Sequence, residues 1–211
     1  MQKKKNNFHT SLSEIINQEI KESSLRQGFP KSFDVKLNNL KYKNFENHKD
    51  FTNIPFVTID GEDSKDFDDA VWSECNKKKT KIMIAIADVS FYVEKGDLID
   101  TEAKKRGNSF YFPNKVIPML PEELSNNLCS LVPQKKRKSV VVEIDLEDGK
   151  VKKFKFYRAV IKSIARLTYQ EAENIFLEKN KNNKLFPIIL NLFNTFKVLQ
   201  ENSKKRNKIS F

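Results

Sequence analysis

The chain has 211 residues, with 39 Lys+Arg against 28 Asp+Glu and a formal net charge of +11. That length fits one domain, or a domain with an N-terminal appendage, and allows a real core, while the positive charge favours nucleic acid or an anionic surface as partner. No stretch approaches the ~20 apolar residues of a membrane span, and Met1-Gln2-Lys3-Lys4-Lys5 lacks a signal peptide's apolar core, so a cytoplasmic protein is expected.

Leu12, Ile15, Ile16, Ile20 and Leu25 keep helical spacing, with Ser11 or Ser13 as cap and Gly28 and Pro30 as terminators. Residues 31–53 are polar, rich in Asn and Lys and without clear period. They read as a connector over the surface, held by Phe33, Leu37, Leu40 and Phe45. The folded body is expected to begin near Ile54, which divides the chain into an N-terminal helix and connector (1–53) and a main domain (54–211).

Phe56 to Ile59 is β-branched and aromatic and ends at the turn dipeptide Asp60-Gly61, so Asp60 belongs at a strand tip. Asp69 to Cys75 and Lys81 to Val89 predict a hairpin through the Lys-rich turn at 76–79. Asp97 to Arg106 predicts a helix ended by Gly107, and Pro121-Glu122-Glu123-Leu124 opens another. Ser139 to Leu146 and Val151 to Ala165 read as strands around Glu147-Asp148-Gly149-Lys150. Thr168 is a candidate cap for a helix over Gln170 to Lys179, and Leu185 to Asn202 predicts the last helix. Lys208-Ile209-Ser210-Phe211 looks like the start of a further strand, which suggests a truncated chain. The expected class is α+β, with mixed β-sheets and packed helices.

Cys75 and Cys129 have no CxxC spacing and only His9 and His48 as nitrogen partners, which argues against a disulfide framework or a zinc site and for two buried, inert thiols. No Walker loop, Rossmann glycine pattern or GxSxG elbow occurs.

The densest chemical signal lies between two apolar runs, in Ile59-Asp60-Gly61-Glu62-Asp63-Ser64-Lys65-Asp66-Phe67-Asp68-Asp69-Ala70-Val71, which holds six carboxylates. Carboxylates this close raise one another's pKa, and a cluster that stays ionised at neutral pH usually holds a hard divalent cation. The EF-hand pattern fails, because Thr58 and Phe56 stand where oxygen ligands would be needed. A solvated acidic turn is the simpler reading, against which Phe67 and the flanking apolar strands argue. Two Mg²⁺ ions ~3.5–4 Å apart, bridged by aspartates and a scissile phosphate, would activate water and stabilise the attacking and leaving oxygens of a phosphodiester. Asp60 at one strand tip, with Asp66, Asp68 and Asp69 at the start of the next, would surround such a pair. Asp68 and Asp69 point to opposite sides of an extended segment, so at most one shares a face with Asp66.

This segment closely resembles the signature of the ribonuclease II / ribonuclease R family of processive 3′-to-5′ exoribonucleases, at the start of their RNB catalytic domain. Further matches follow in family order: Ala85 to Val93, Arg106 to Pro113, Val116 to Pro121, Leu124 to Leu131, and Ala165 to Tyr169. The resemblance covers about 54–211, and the Gly-Glu-Asp wording is nearer the ribonuclease R branch. It implies hydrolysis of single-stranded RNA to 5′ nucleoside monophosphates by a Mg²⁺-dependent, monomeric enzyme. The family's four catalytic aspartates fall on Asp60, Asp66, Asp68 and Asp69, with Asp60, Asp66 and Asp69 as the implied metal ligands and Asp68 shaping the attack. Glu62 and Asp63 fall outside the four.

The base-stacking tyrosine falls on Tyr111, and stacking suits any base without demanding sequence. Strand alternation turns Tyr111 away from Phe110 and Phe112. Asp88 reads as a strand-end structural residue, while Arg166 is open between the RNA backbone and a carboxylate partner. The family's cold-shock domains, OB-fold domain and catalytic arginine have no counterpart in the sequence. Alternatives are a non-catalytic, RNA-binding derivative of the family and a metal-dependent DNA phosphodiesterase.

Overall fold

The computed structural model describes residues 11–40, 47–76 and 78–206. Phe45, His9 and the strand expected near 208–211 lie outside them. Helix α1 (Leu12–Glu22) opens with a capping box, in which Ser11 Oγ accepts from the Glu14 amide and Glu14 Oε2 accepts from the Ser11 amide. It ends sooner than Gly28 requires, because Ser24 turns left-handed at φ 51° and Leu25 leaves the helix.

The 31–53 segment is more regular than its polarity suggests. Helix α2 (Ser32–Leu40) buries Phe33, Leu37 and Leu40 in the main core, and β1 (Lys49–Asp50) pairs in parallel with a later strand. Three apolar residues at helical spacing suffice here because tertiary burial outweighs weak local propensity.

The centre is a seven-stranded mixed sheet of order β1-β8-β7-β4-β3-β2-β9. It contains β2 (Val57–Asp60), β3 (Asp69–Asn76), β4 (Lys79–Ala87), β7 (Arg137–Glu147), β8 (Lys150–Ile161) and β9 (Ala165–Thr168). Antiparallel pairing joins β2 to β3, β3 to β4, β4 to β7 and β7 to β8, while β9 lies parallel to β2. The single strand expected over 151–165 is therefore two. Ser163 breaks it by donating its hydroxyl to the Leu131 carbonyl (2.9 Å), and the Ile164 amide reaches Phe56 O (2.8 Å). The chain so leaves β8 and rejoins the sheet beside β2, placing Arg166 opposite Thr58.

The main core gathers Ala70, Met83, Ala85, Val141, Ala159 and Ile161 from the sheet and Phe56 and Phe67 from the segments flanking β2 and β3, with Tyr92, Ile99 and Leu124 from the helical connections. A second cluster joins Leu167 to Ala172 and Ile189 of α5 (Tyr169–Glu178) and α6 (Phe186–Lys205). Thr168 caps α5 through a capping box with Glu171.

Between β4 and β7 lie α3 (Val89–Tyr92), α4 (Leu98–Arg106) and a separate hairpin of β5 (Phe110–Phe112) and β6 (Lys115–Ile117). Asp97 caps α4, and Gly107 ends it at φ 76°, where a Cβ would be strained. The helix expected after Pro121 is a π-helical turn (Glu123–Leu128), closed by the Cys129 amide on Leu124 O at 2.8 Å. Of the two thiols, Cys129 is buried, and burial pushes its pKa up to about 12. Cys75 is only half-buried, with Sγ 3.1 Å from Thr195 Oγ1 on α6. Among the described residues no helix is long and apolar enough to cross a membrane.

Candidate active site

Asp60 is the last residue of β2 and Asp69 the first of β3, so two adjacent strands deliver both carboxylates to one end of the sheet. The loop between them is pinned at several points. Ser130 is fully buried; its hydroxyl accepts from the Phe67 amide (3.0 Å) and donates to the Lys65 carbonyl (3.0 Å). The Phe67 carbonyl accepts from the Leu131 amide (2.9 Å), and the Asp68 carbonyl accepts from the Ala87 amide (2.8 Å). Phe67 itself enters the main core. The apolar residue among the acids is thus the anchor that makes the segment rigid.

Arg166, from β9, closes the loop from the other side. Its guanidinium donates to the carbonyls of Gly61 (2.7 Å) and Glu62 (2.6 Å) and lies 5.6 Å from the Phe67 ring. The side chain holds backbone oxygens, which neither of its two expected roles foresaw.

Asp60 and Asp68 each feel the charges of the neighbouring aspartates. Burial first, then the charges of Asp69 and Asp66, raise the Asp60 pKa against the opposing pull of Arg166. Asp68 keeps a solvent-exposed rim. Partial desolvation at the loop, followed by the charges of Asp66, Asp69 and Asp60, raises it as well. Among the described residues Asp60 Oδ2 is buried without a hydrogen-bond partner, an atom that a cation would satisfy. The donors are hard oxygens suited to Mg²⁺. Among the described residues no group of three or more His, Cys, Asp or Glu is already drawn into metal-binding geometry.

A cleft of about 800 Å³ opens beside these residues, lined by Asp63, Asp66 and Asp68 of the loop and by Tyr111 and Val116 of the β5–β6 hairpin. Tyr111 is 70% exposed. Its neighbours Phe110 and Phe112 pack beneath the hairpin, as alternation requires. Asp88 caps α3, accepting from Ser90 Oγ (2.6 Å) and the Phe91 amide (3.1 Å), and its Oδ2 lies 3.3 Å from Arg158 Nε. Its environment is structural. Ser130 was missed from sequence because nothing local marks a serine whose partners lie 63 and 65 residues away.

Residues 48–211 match the RNB domain family. The chain is 45% identical over 170 residues to ribonuclease R of Escherichia coli, covering 77% of this chain and 21% of that protein. It is 41% identical over 176 residues to ribonuclease R of Thermotoga maritima, covering 81% and 25%. The chain thus spans a fifth to a quarter of the length of these relatives. Among solved structures, Mycoplasma genitalium RNase R in complex with ribose-methylated single-stranded RNA superposes with a TM-score of 0.83 at 32% identity, covering 95% of this chain and 33% of that one. The same enzyme in complex with double-stranded RNA gives the same TM-score. Yeast Ssd1, a pseudonuclease, shares the fold alone, at TM-score 0.58 and 18% identity. With its sheet, its helices and its ordered motifs all in place, the chain belongs to the RNB domain family, among relatives named ribonuclease R.

Proposed function

We propose that the chain carries the metal-binding residues of a 3′-to-5′ exoribonuclease site that hydrolyses single-stranded RNA to 5′ nucleoside monophosphates. One observation carries the proposal. Asp60 and Asp69 stand at adjacent strand ends with Asp66 and Asp68 in the loop between them, and an exposed tyrosine lines the same open cleft as Asp66 and Asp68.

Asp60, Asp66 and Asp69 would hold Mg²⁺, and the buried, partnerless Asp60 Oδ2 supports that assignment. Bound there, Mg²⁺ would supply an activated water and charge stabilisation at the phosphate. Tyr111 would stack on a base near the 3′ end, for ~1–3 kcal/mol without sequence preference. Asp68, on the cleft wall, would orient the attacking group. Arg166 keeps the loop backbone fixed, so the carboxylates meet the phosphate without a reorganisation cost. The chain's net positive charge would draw RNA toward an otherwise repulsive acidic site.

The test is to incubate the 211-residue chain with Mg²⁺ and a 3′-tailed RNA. Release of nucleoside monophosphates that Asp68→Asn abolishes while RNA binding persists supports the reading. Calorimetric titration that finds Mg²⁺ affinity unchanged in Asp60→Asn overturns it in favour of a non-catalytic RNA-binding protein, and equal cleavage of DNA overturns the assignment to RNA.

A further inference from the structure

The hairpin that carries Tyr111 has no partner in the large sheet. Among the described residues strands β5 and β6 pair only with each other, and an isolated two-stranded hairpin is at best marginally stable in water. What supports it is α1. Ile16 and Ile20 are 5% and 1% exposed and form a cluster of their own with Ile117, Leu25, Phe110 and Phe112. None of the main-core residues comes from α1. The helix therefore buries its apolar face against the underside of the hairpin, and the opposite side presents Tyr111 and Val116 to the cleft.

Polar contacts fix the same junction. Asn114 Nδ2 donates to Ser13 Oγ (3.1 Å) and Lys115 Nζ to Gln27 Oε1 (2.7 Å). Behind them Glu102 on α4 receives a two-pronged bond from Arg26 (2.7 and 2.9 Å) and a third from Arg106 Nε (3.0 Å). Arg106, its side chain 2% exposed, spends its other nitrogens on the carbonyls of Arg26, Gly28 and Pro118 and stacks 3.7 Å from the Phe29 ring. One guanidinium thus ties the segment after α1 to the residue that follows β6.

We propose that α1 and the Arg26–Glu102–Arg106 clamp are a positioning device that sets Tyr111 at its place in the cleft it shares with Asp66 and Asp68. The inference rests on the stacking role given to Tyr111 above, but the mechanical coupling does not. Ile16 and Ile20 touch no substrate; they act through Phe110, Phe112 and Ile117. Residues 12–22 lie outside the stretch matched to the family, so the catalytic-domain signature does not reveal this support.

Two measurements on the 211-residue chain test it, both in an Asp68→Asn background that keeps RNA intact. In the first, amide exchange across 110–117 is compared with exchange in β4 and β7. Ile20→Ala is expected to speed the hairpin at least tenfold while the large sheet is unchanged, and Ile20→Val to restore it. In the second, a single-stranded oligoribonucleotide carries 2-aminopurine at successive positions from its 3′ end. The chain should quench one position, Tyr111→Ala should abolish that quench, and Ile20→Ala should at least halve it. Unchanged exchange in Ile20→Ala overturns the proposal. So does faster exchange with a full quench, since the hairpin would then reach its place without α1. If Tyr111→Ala leaves the quench intact, the stacking reading fails instead, and the coupling is judged on exchange alone.

Discussion

Arg166 donates to the carbonyl of Gly61, the residue directly after Asp60, across a distance of 2.7 Å. It binds the next carbonyl, that of Glu62, at 2.6 Å, so one side chain from β9 fixes the turn where β2 ends. Arg166→Ala is expected to destabilise the chain by about 1.5–3 kcal/mol, the range for hydrogen bonds to a charged group. Arg166→Lys keeps the charge but loses the fork, and should recover less than half of the loss. Urea unfolding of the three proteins checks both.

The repulsion among the aspartates gives a prediction of opposite sign for the cluster itself. Asp60 and Asp68 have raised pKa values, so their ionised forms weaken the metal-free fold above the ordinary aspartate range. Mg²⁺ at a hundred times its dissociation constant should stabilise the chain by about 2.7 kcal/mol, read as a rise in melting temperature of roughly 5–11 °C for a chain of this length. Asp60→Asn should melt higher than the parent without metal and lose most of the gain with it. A parent whose melting temperature ignores Mg²⁺ would count against a metal site here.

Acid should release the N-terminal clamp. The hydrogen bond from Arg26, together with the nearby charges of Arg26 and Arg106, holds the Glu102 carboxyl below the usual glutamate range despite its burial. A group depressed in this way contributes stability that is fully present above its unfolded pKa of about 4.3 and is lost as pH falls through the lower folded value. Amides of α1 and 110–117 are therefore expected to lose protection below about pH 4, and Glu102→Gln should lose that pH dependence.

Ser130→Ala would leave the Phe67 amide without its acceptor inside the core. The expected cost is about 1–3 kcal/mol for an unsatisfied buried donor. Because the same hydroxyl also holds Lys65 O, calorimetric titration should find weaker Mg²⁺ binding as well. Ser130→Thr retains the hydroxyl and should recover part of both.

The placement of the acids at the strand ends was legible in the sequence because it is local. Six acids in ten residues, bounded by β-forming runs, place Asp60 and Asp69 at strand tips by spacing alone. Alternation within Phe110-Tyr111-Phe112 gave the outward turn of the tyrosine by the same logic. The capping boxes at Ser11 and Thr168 follow from three-residue patterns.

Contacts distant in sequence were decided only by tertiary structure. Periodicity could not separate β9 from β8, because Ser163 breaks the strand through an acceptor 32 residues away. Helix α2 stays on its course by burying Phe33, Leu37 and Leu40 in a core built mostly from later residues. Arg166 could not be assigned from its neighbours, since its partners lie 104 and 105 residues earlier. The acidic sequence by itself determined which carboxylates gather between β2 and β3. The packing of β9, Ser130 and α1 around them decided where those residues stand, because rigidity at a charged loop comes from buried contacts that no local pattern encodes.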